Sequence, residues 1–446
     1  MKNFLIIGGD AAGMSAASRA GRHYPDLAIT VLEQTQDVSY SACGMPYNIS
    51  DPSRAIGDLV VRTAEVFREK QGINLLTGYR AESIDRKNRL VKAAGPAGKT
   101  LEFSWDKLLI ATGASPVMPD IPGIDLAGVM PLKNLEDGRK IKEYIKENRV
   151  RDAVIIGMGY IGMEMCEAFA ELGINVKMAG RGFLSGYNRE IASKVRENLE
   201  QRGIELNESC TLQSIEQRGG RLCANCGDMS VEGDIVLVGI GVVPNSFIAS
   251  DAGLDTGPGN SVAVDRYMRT SDPDIFSAGD CADAYHVVTG EKVWIPLALR
   301  ANRGGWAVAD NLEGDVTSLQ GVAGTSVFKV FDQEVARTGL NFSQAEKSGF
   351  SPKEVVIESR TRAHAHPGSV PIWVNAVGDT VTGRLLGMQI VSTEGAAHRI
   401  NGPAVALQGK MSLETFAQCD LAYAPPFSPV WDPMLTAANQ LLKKMS

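Results

Sequence analysis

Short apolar runs bounded by glycine, each followed by a stretch with helical spacing, open the chain and recur in its middle. Residues 4–7, Phe-Leu-Ile-Ile, predict a strand buried on both faces. The turn Gly8-Gly9-Asp10-Ala11-Ala12-Gly13 leads into a helix of small residues over 14–21, and residues 29–33 read as a second strand. This order of strand, tight turn, helix and strand is a βαβ unit. A second copy runs from a strand at 153–156 through Gly157-Met158-Gly159-Tyr160-Ile161-Gly162 to a helix at 164–172 and a strand at 175–179. Two further buried-type strands, 108–114 and 235–241, end in glycine on either side of that copy, like crossings between two domains. A shorter one within 274–282 ends in Gly279-Asp280.

The two turns carry recognisable chemistry. Gly8 permits the tight bend and Gly13 lets helix and strand approach. The helix N-terminus, with Ala11 and Ala12 in the turn that leads into it, offers free N–H groups and a positive dipole end to a pyrophosphate. Glu33, at the end of the second strand, can accept hydrogen bonds from an adenosine ribose. Asp10 stands where the fingerprint expects its middle glycine, so the strand, helix and acid carry the assignment together. In the second copy Gly157, Gly159 and Gly162 are all present, with Tyr160 and Ile161 between the last two. Its strand ends without an acid, on Gly180-Arg181. A missing carboxylate removes repulsion of a 2′-phosphate and Arg181 can pair with one, which predicts NADPH, with NADH as the alternative donor. Two fingerprints imply two dinucleotides, one supplying hydride and the other a held flavin. Asp280 is then a candidate partner for a ribityl hydroxyl. Cys43 follows Glu33 by ten residues, with no other cysteine between 38 and 48, which suggests a single thiol beside the flavin.

At 446 residues the chain suggests about three domains. Its 44% hydrophobic and 22% charged composition is that of a globular protein, and a net charge of −7 offers no basic field for nucleic acid. No apolar run approaches the ~20 residues that span a bilayer. Residues 1–3 run straight into the first strand without the regions of a secretory signal, so we expect a cytoplasmic protein. Seven cysteines with no repeating spacing argue against a disulfide framework and for a free thiol. Cys223 and Cys226 have the spacing of a redox pair but read better as a passive loop. Cys166, Cys210, Cys281 and Cys419 read as packing residues. The scattered histidines predict no metal site.

These segments, in this order and over essentially the whole length, are similar to the flavoprotein pyridine-nucleotide–disulfide oxidoreductase family. The resemblance is to its single-cysteine branch of coenzyme A-disulfide reductases, NADH oxidases, NADH peroxidases and persulfide reductases. It implies the α/β class, with two Rossmann-like nucleotide-binding domains and a C-terminal α+β dimerisation domain. The FAD-binding domain would comprise 1–112 and 246–322, the inserted NAD(P)-binding domain 113–245, and the interface domain 323–446. Thr112, Gly113 and Gly241 would line the cofactors, and Ala298 would lie in the segment set against the flavin. Electrons would pass from NADPH through FAD to Cys43, which would reduce a small disulfide, persulfide or polysulfide. Where oxidases and peroxidases of the branch carry a histidine in the first turn, this chain has Ala11, which favours a sulfur substrate over peroxide. Arg19, Arg22, Ser39, Asn302 and Arg303 match positions that hold coenzyme A. Ala42 and Ala365-His366-Pro367-Gly368 depart from that pattern. Tyr423, in the C-terminal tail, would reach across a homodimer to complete the partner's site. The alternatives are an NAD(P)H oxidase or peroxidase cycling Cys43 through sulfenic acid, and a flavin reductase of an electron-transfer protein.

Overall fold

The computed structural model describes residues 1–446, the side chain of Ala97 excepted. Three five-stranded sheets organise it. The first is wholly parallel, in the order Ile275–Ser277, Lys107–Ile110, Asn3–Ile7, Ala28–Glu33, Asn74–Thr77. Leu5, Ile6, Leu108, Leu109 and Ile110 are fully enclosed, as expected of strands covered on both faces. The helix Ala11–His23 packs along the helix Ala298–Asp310, and their backbones approach closely enough that a Cβ on Gly305 would meet the Ala12 carbonyl oxygen at 2.2 Å. The first helix begins three residues earlier than its apolar spacing suggests, because Asp10 is its N-cap residue and the alanines continue without a break.

The second sheet repeats the plan, with the order Glu205–Glu208, Asn175–Gly180, Asp152–Ile156, Ile235–Val238, Val129–Met130, again all parallel. Its helix Tyr160–Glu171 buries Met163, Met165, Cys166 and Phe169. Two short antiparallel strands, Ala114–Pro116 and Val242–Pro244, join the two parallel sheets side by side. Thr112 Oγ1 donates to the Asn245 carbonyl at 2.5 Å and Asn245 Nδ2 returns a bond to the Thr112 carbonyl at 2.9 Å, closing this hinge.

The third sheet is antiparallel, ordered Ser326–Val330, Gln333–Gly339, Leu385–Ser392, Pro371–Asp379, Pro352–Arg360. The C-terminal helix Pro433–Met445 covers it with Ala437, Ala438 and Leu441. Between them, residues 423–431 leave Tyr423, Phe427, Val430 and Trp431 exposed, an apolar face that a lone chain would not keep in water. No helix is long and apolar enough to cross a membrane, among the described residues.

The cysteines require a correction. Cys210 and Cys226, expected as a packing residue and a loop residue, form a disulfide with Cα atoms 5.0 Å apart. Cys210 lies outside regular structure, just past the strand Glu205–Glu208, and Cys226 ends the hairpin strand Arg221–Cys226. The Cys223/Cys226 spacing is three, and alternate residues of a strand face opposite sides. Cys223 therefore points away from Cys226 and stays a free, buried thiol. Cys419 falls past the end of its helix, Leu413–Ala417, but packs half-buried against the core of the third sheet as expected.

Candidate active site

Both glycine turns fold as their sequence demands. Gly8 has φ of +111°, and a Cβ there would meet the Ala111 carbonyl oxygen at 2.2 Å; a Cβ on Gly13 would meet the Gly8 carbonyl oxygen at 1.9 Å. In the second unit Gly157 has φ of +119° and would collide with the Gly239 carbonyl oxygen at 2.2 Å, while a Cβ on Gly162 would lie 2.1 Å from the Gly157 carbonyl oxygen. Backbone is therefore packed on backbone at both turns, leaving the helix N-termini open to a ligand.

The two turns share one cavity of about 2510 Å³. It is larger than the 300–1,000 Å³ usual for a single small-molecule pocket. Gly8, Ala11, Ala12, Glu33, Thr112, Gly113, Asp280 and Ala298 line one part, and Gly157, Gly159, Tyr160, Ile161, Arg181 and Gly241 line the other. Gly13 and Gly162 sit behind the wall and support it. Glu33 is buried and accepts from the Gly9 N–H (2.7 Å), the Thr35 N–H (2.7 Å) and the Thr35 hydroxyl (2.8 Å). Arg181 is exposed at the end of the strand Asn175–Gly180 and makes no ion pair among the described residues.

Cys43 opens onto this cavity and is its only free cysteine among the described residues. It lies in the single helical turn Ala42–Gly44 that precedes the five-residue helix Met45–Ile49. Help from a helix dipole is accordingly small, since Cys43 stands inside a broken first turn rather than beyond the start of a long helix. Partial burial pushes the thiol above its ordinary range, the nearby Glu164 carboxylate adds to this, and Lys133 opposes it. In the protein alone nothing makes Cys43 a ready thiolate.

A family model described as pyridine nucleotide-disulphide oxidoreductase matches residues 2–305, and the dimerisation domain of the same family matches residues 325–434. The chain belongs to this family. Among its relatives, a Pyrococcus abyssi protein named NAD(P)H sulfur oxidoreductase (CoA-dependent) is 37% identical over 444 residues, covering 99% of this chain and 98% of that one. A Methanocaldococcus jannaschii protein named NADH oxidase is 32% identical over 445 residues, covering 99% of each. The structure of an NAD-dependent persulfide reductase from A. fulgidus matches with a TM-score of 0.95 at 35% identity, covering 99% of this chain and 83% of that one.

The cofactors of a pyridine nucleotide-disulphide oxidoreductase are FAD and NAD(P)H, and the residues present fit them. Each glycine turn is a cradle that a Cβ would fill, and beside the first of them the buried Asp10 Oδ1 has no hydrogen-bond partner. Sequence reasoning missed several groups at this oxidoreductase's centre. Lys133 Nζ donates to Asp280 Oδ2 at 2.9 Å, and the Tyr47 hydroxyl donates to Glu164 Oε1 at 3.1 Å. Burial pushes the Glu164 carboxyl above its ordinary range. Burial, with Glu33 next, pushes Asp10 up to about 6. The signal available for Asp10 was its place in the glycine turn. Lys133 comes from a segment with no motif, and Glu164 stands two residues past the second glycine turn, at a position the fingerprint does not specify.

The residues expected at the coenzyme A end are not brought together in one chain. Asn302 and Arg303 line the cavity, with Asn302 Oδ1 accepting from Ser15 Oγ at 2.7 Å. Arg19 is engaged elsewhere, its Nε and Nη2 donating to the two Asp310 carboxylate oxygens at 2.6 and 3.0 Å while it stacks over Trp306. Arg22 is exposed on the same helix. Ser39, in the left-handed region with φ of +47°, lies off the cavity wall, as does the half-exposed Tyr423.

Proposed function

We propose that this chain is a two-electron reductase of small disulfides or persulfides, with coenzyme A disulfide, coenzyme A persulfide or polysulfide as the substrate class and NADPH as the preferred donor. The observation that carries this reading is the single free thiol, Cys43, opening on the cavity where the two glycine cradles meet. FAD, when bound, would relay the electrons of NAD(P)H to sulfur. Gly8, Ala11, Ala12, Glu33 and Asp280 would hold it, with Thr112, Gly113 and Ala298 along its length, and Gly157–Gly162, Arg181 and Gly241 would hold the nicotinamide dinucleotide. We divide the chain accordingly into FAD-binding residues 1–112 and 246–322, NAD(P)-binding residues 113–245 and interface residues 323–446. The membership of each strand in its sheet supports this division.

The thiolate of Cys43 attacks one sulfur of the substrate's S–S bond and expels the other, as a thiolate when the outer sulfur of a persulfide is taken and as hydrosulfide when the inner one is. This leaves Cys43 in a disulfide or persulfide that two electrons and a proton reopen. Lys133 beside Asp280 lowers the cost of negative charge at Cys43, while the Tyr47–Glu164 pair is placed to hold and return a proton. Asn302 and Arg303 are placed to bind the substrate's polar end, with Arg22 and the Ser39 loop at the rim, and Arg19 acts there only if it leaves Asp310. Tyr423 would act from a second copy of the chain, which the exposed face around Phe427 and Trp431 supports. We place the enzyme in the cytoplasm, where a reduced thiol pool would be its product.

A second reading, an NAD(P)H oxidase, is favoured by the relative bearing that name. Against it stands Ala11, a side chain unable to assist peroxide chemistry, on the wall of the cavity. The test is parallel steady-state turnover of the FAD-loaded protein with coenzyme A disulfide, coenzyme A persulfide, polysulfide, peroxide and oxygen. Sulfur compounds should exceed the oxygen species by at least tenfold in kcat/KM; the reverse order would overturn the assignment.

A further inference from the structure

The Cys210–Cys226 bridge lies outside the Cys43 centre, and its position gives it a consequence for dinucleotide binding. Cys210 sits one residue past Ser209, which holds the left-handed φ of +65°, at the exit of the strand Glu205–Glu208. Its backbone N–H donates to the Gly180 carbonyl at 3.0 Å. Gly180 and Arg181 are the residues that face the adenosine end of the second dinucleotide. Cys210, Thr211 and Leu212 continue the same cavity wall. Cys226 belongs to a different structure, the antiparallel hairpin Arg221–Cys226 and Met229–Gly233, where it pairs with Met229 beside the Gly227 turn. The bridge therefore ties this hairpin to the loop that holds the Gly180 carbonyl. The far end of the loop runs into the strand Ser214–Arg218, which pairs with Arg221–Cys226; the bridge adds a covalent tie at the near end, at Cys210 beside the Gly180 carbonyl.

Access to the two sulfurs differs. Cys210 is only 2% exposed, while Cys226 is half-buried at the hairpin end. The third cysteine of the region, Cys223, faces the opposite side of its strand, so no competing thiol adjoins the pair. A Cα separation of 5.0 Å suits a bridge without backbone movement.

We propose that Cys210 and Cys226 form a redox-responsive bridge that holds the adenosine-end wall of the nicotinamide site, so that NAD(P)H binds more tightly when the small-disulfide pool is oxidised. This rests on the reading that Gly157–Gly162 and Arg181 take that dinucleotide. The Cys226 thiolate attacks one sulfur of a small disulfide RSSR and expels RS⁻; Cys210 then attacks the Cys226 sulfur of the mixed disulfide and expels the second RS⁻. The two thiol protons pass through solvent to the two RS⁻, so that the two cysteines lose two electrons and RSSR gains them as two RSH. Excess RSH reverses both steps. The reductase would thus gain affinity for its electron donor when its own substrate class accumulates.

The experiment uses FAD-loaded Cys43→Ser protein, so that the redox centre does not contribute, equilibrated in mixtures of coenzyme A disulfide and coenzyme A. Alkylation and mass measurement count free thiols, and NADP⁺ binding is measured by calorimetry in the same mixtures. We expect two thiols to disappear in oxidising mixtures and the NADP⁺ Kd to fall at least threefold with them. In Cys43→Ser/Cys210→Ser/Cys226→Ser the Kd should stay at the reduced value throughout. Thiols that alkylate in every mixture, or a Kd unchanged as the bridge opens, would overturn the proposal. Absence of NADP⁺ binding in both states would remove the dinucleotide reading and this inference with it, an outcome the thiol count distinguishes from a bridge that never forms. Because the first two measurements need only Cys43→Ser, a misfolded triple variant leaves the proposal open to refutation.

Discussion

Replacing Asp10 with Asn should stabilise the protein, and by an amount that depends on pH. Asp10 is half-buried at the N-cap of the first helix, its Oδ1 has no hydrogen-bond partner, and it has Glu33 and Asp280 as acidic neighbours against Lys133 alone. Burial first, and Glu33 second, raise its carboxyl from an ordinary 3.8 to about 6. A raised acid pKa means that the folded state binds the proton more tightly than the unfolded one. Stability is then greatest below about pH 4, where both states are protonated, and falls as pH rises toward 6, where the folded state must ionise as well. A displacement of about two units at ~1.4 kcal/mol each sets the loss at about 3 kcal/mol, complete above about pH 6. Asn has nearly the same shape and carries no charge, so the variant escapes this loss. The assay is urea unfolding of FAD-loaded wild type and Asp10→Asn from pH 4 to 8. The variant's advantage should grow by about 1–3 kcal/mol between pH 4 and 6.5 and then level off, since pyrophosphate charge would push Asp10 in the same direction. Parallel curves, or an advantage that shrinks as pH rises, would refute the account of Asp10 as an acid held above its ordinary range by its surroundings.

Three further outcomes follow from the geometry. Gly13→Ala places a Cβ 1.9 Å from the Gly8 carbonyl oxygen and should cost about 1–3 kcal/mol together with most of the bound FAD, read from the flavin-to-protein absorbance ratio. Gly159→Ala, with open space around its Cβ, should keep its fold and its flavin; equal damage at both positions would contradict the packing argument. Cys43→Ser should retain FAD yet lose at least a hundredfold in disulfide and persulfide turnover, and undiminished turnover would move the assignment to an electron-transfer flavoprotein. Arg181→Ala should raise the KM for NADPH about 5- to 30-fold, from a charge-assisted contact of about 1–2 kcal/mol at an exposed site, and change that for NADH less than twofold. Equal effects on both would remove the NADPH preference.

Much of the fold was legible because the information is local. Residues 3–33 and 152–180 each specify strand, turn and helix through apolar runs and through glycines that no other residue can replace at Gly8, Gly13, Gly157 and Gly162. The site was legible only in part. The backbone around the thiol was not legible: the chain breaks into a single turn at Ala42–Gly44 before the helix Met45–Ile49 begins, a local irregularity that the Cys43-Gly44-Met45-Pro46 sequence does not announce. Arg19 and Arg22 both match positions that hold coenzyme A, yet Arg19 finds Asp310, 291 residues away.

The sequence by itself determined two dinucleotide units, a lone cysteine after the first, and the replacement of acid by Gly180-Arg181 in the second. Each of these is a pattern within about thirty residues, set by backbone sterics and periodicity. Only the tertiary structure decided which charges surround Cys43, with Lys133 meeting Asp280 and Tyr47 meeting Glu164 across separations of 147 and 117 residues. It alone also decided that Cys226 pairs with Cys210 and not with Cys223. Electrostatic energy and sulfur bonding depend on distance through space. The packing of one sheet against another fixes that distance, and no short stretch of the chain contains it.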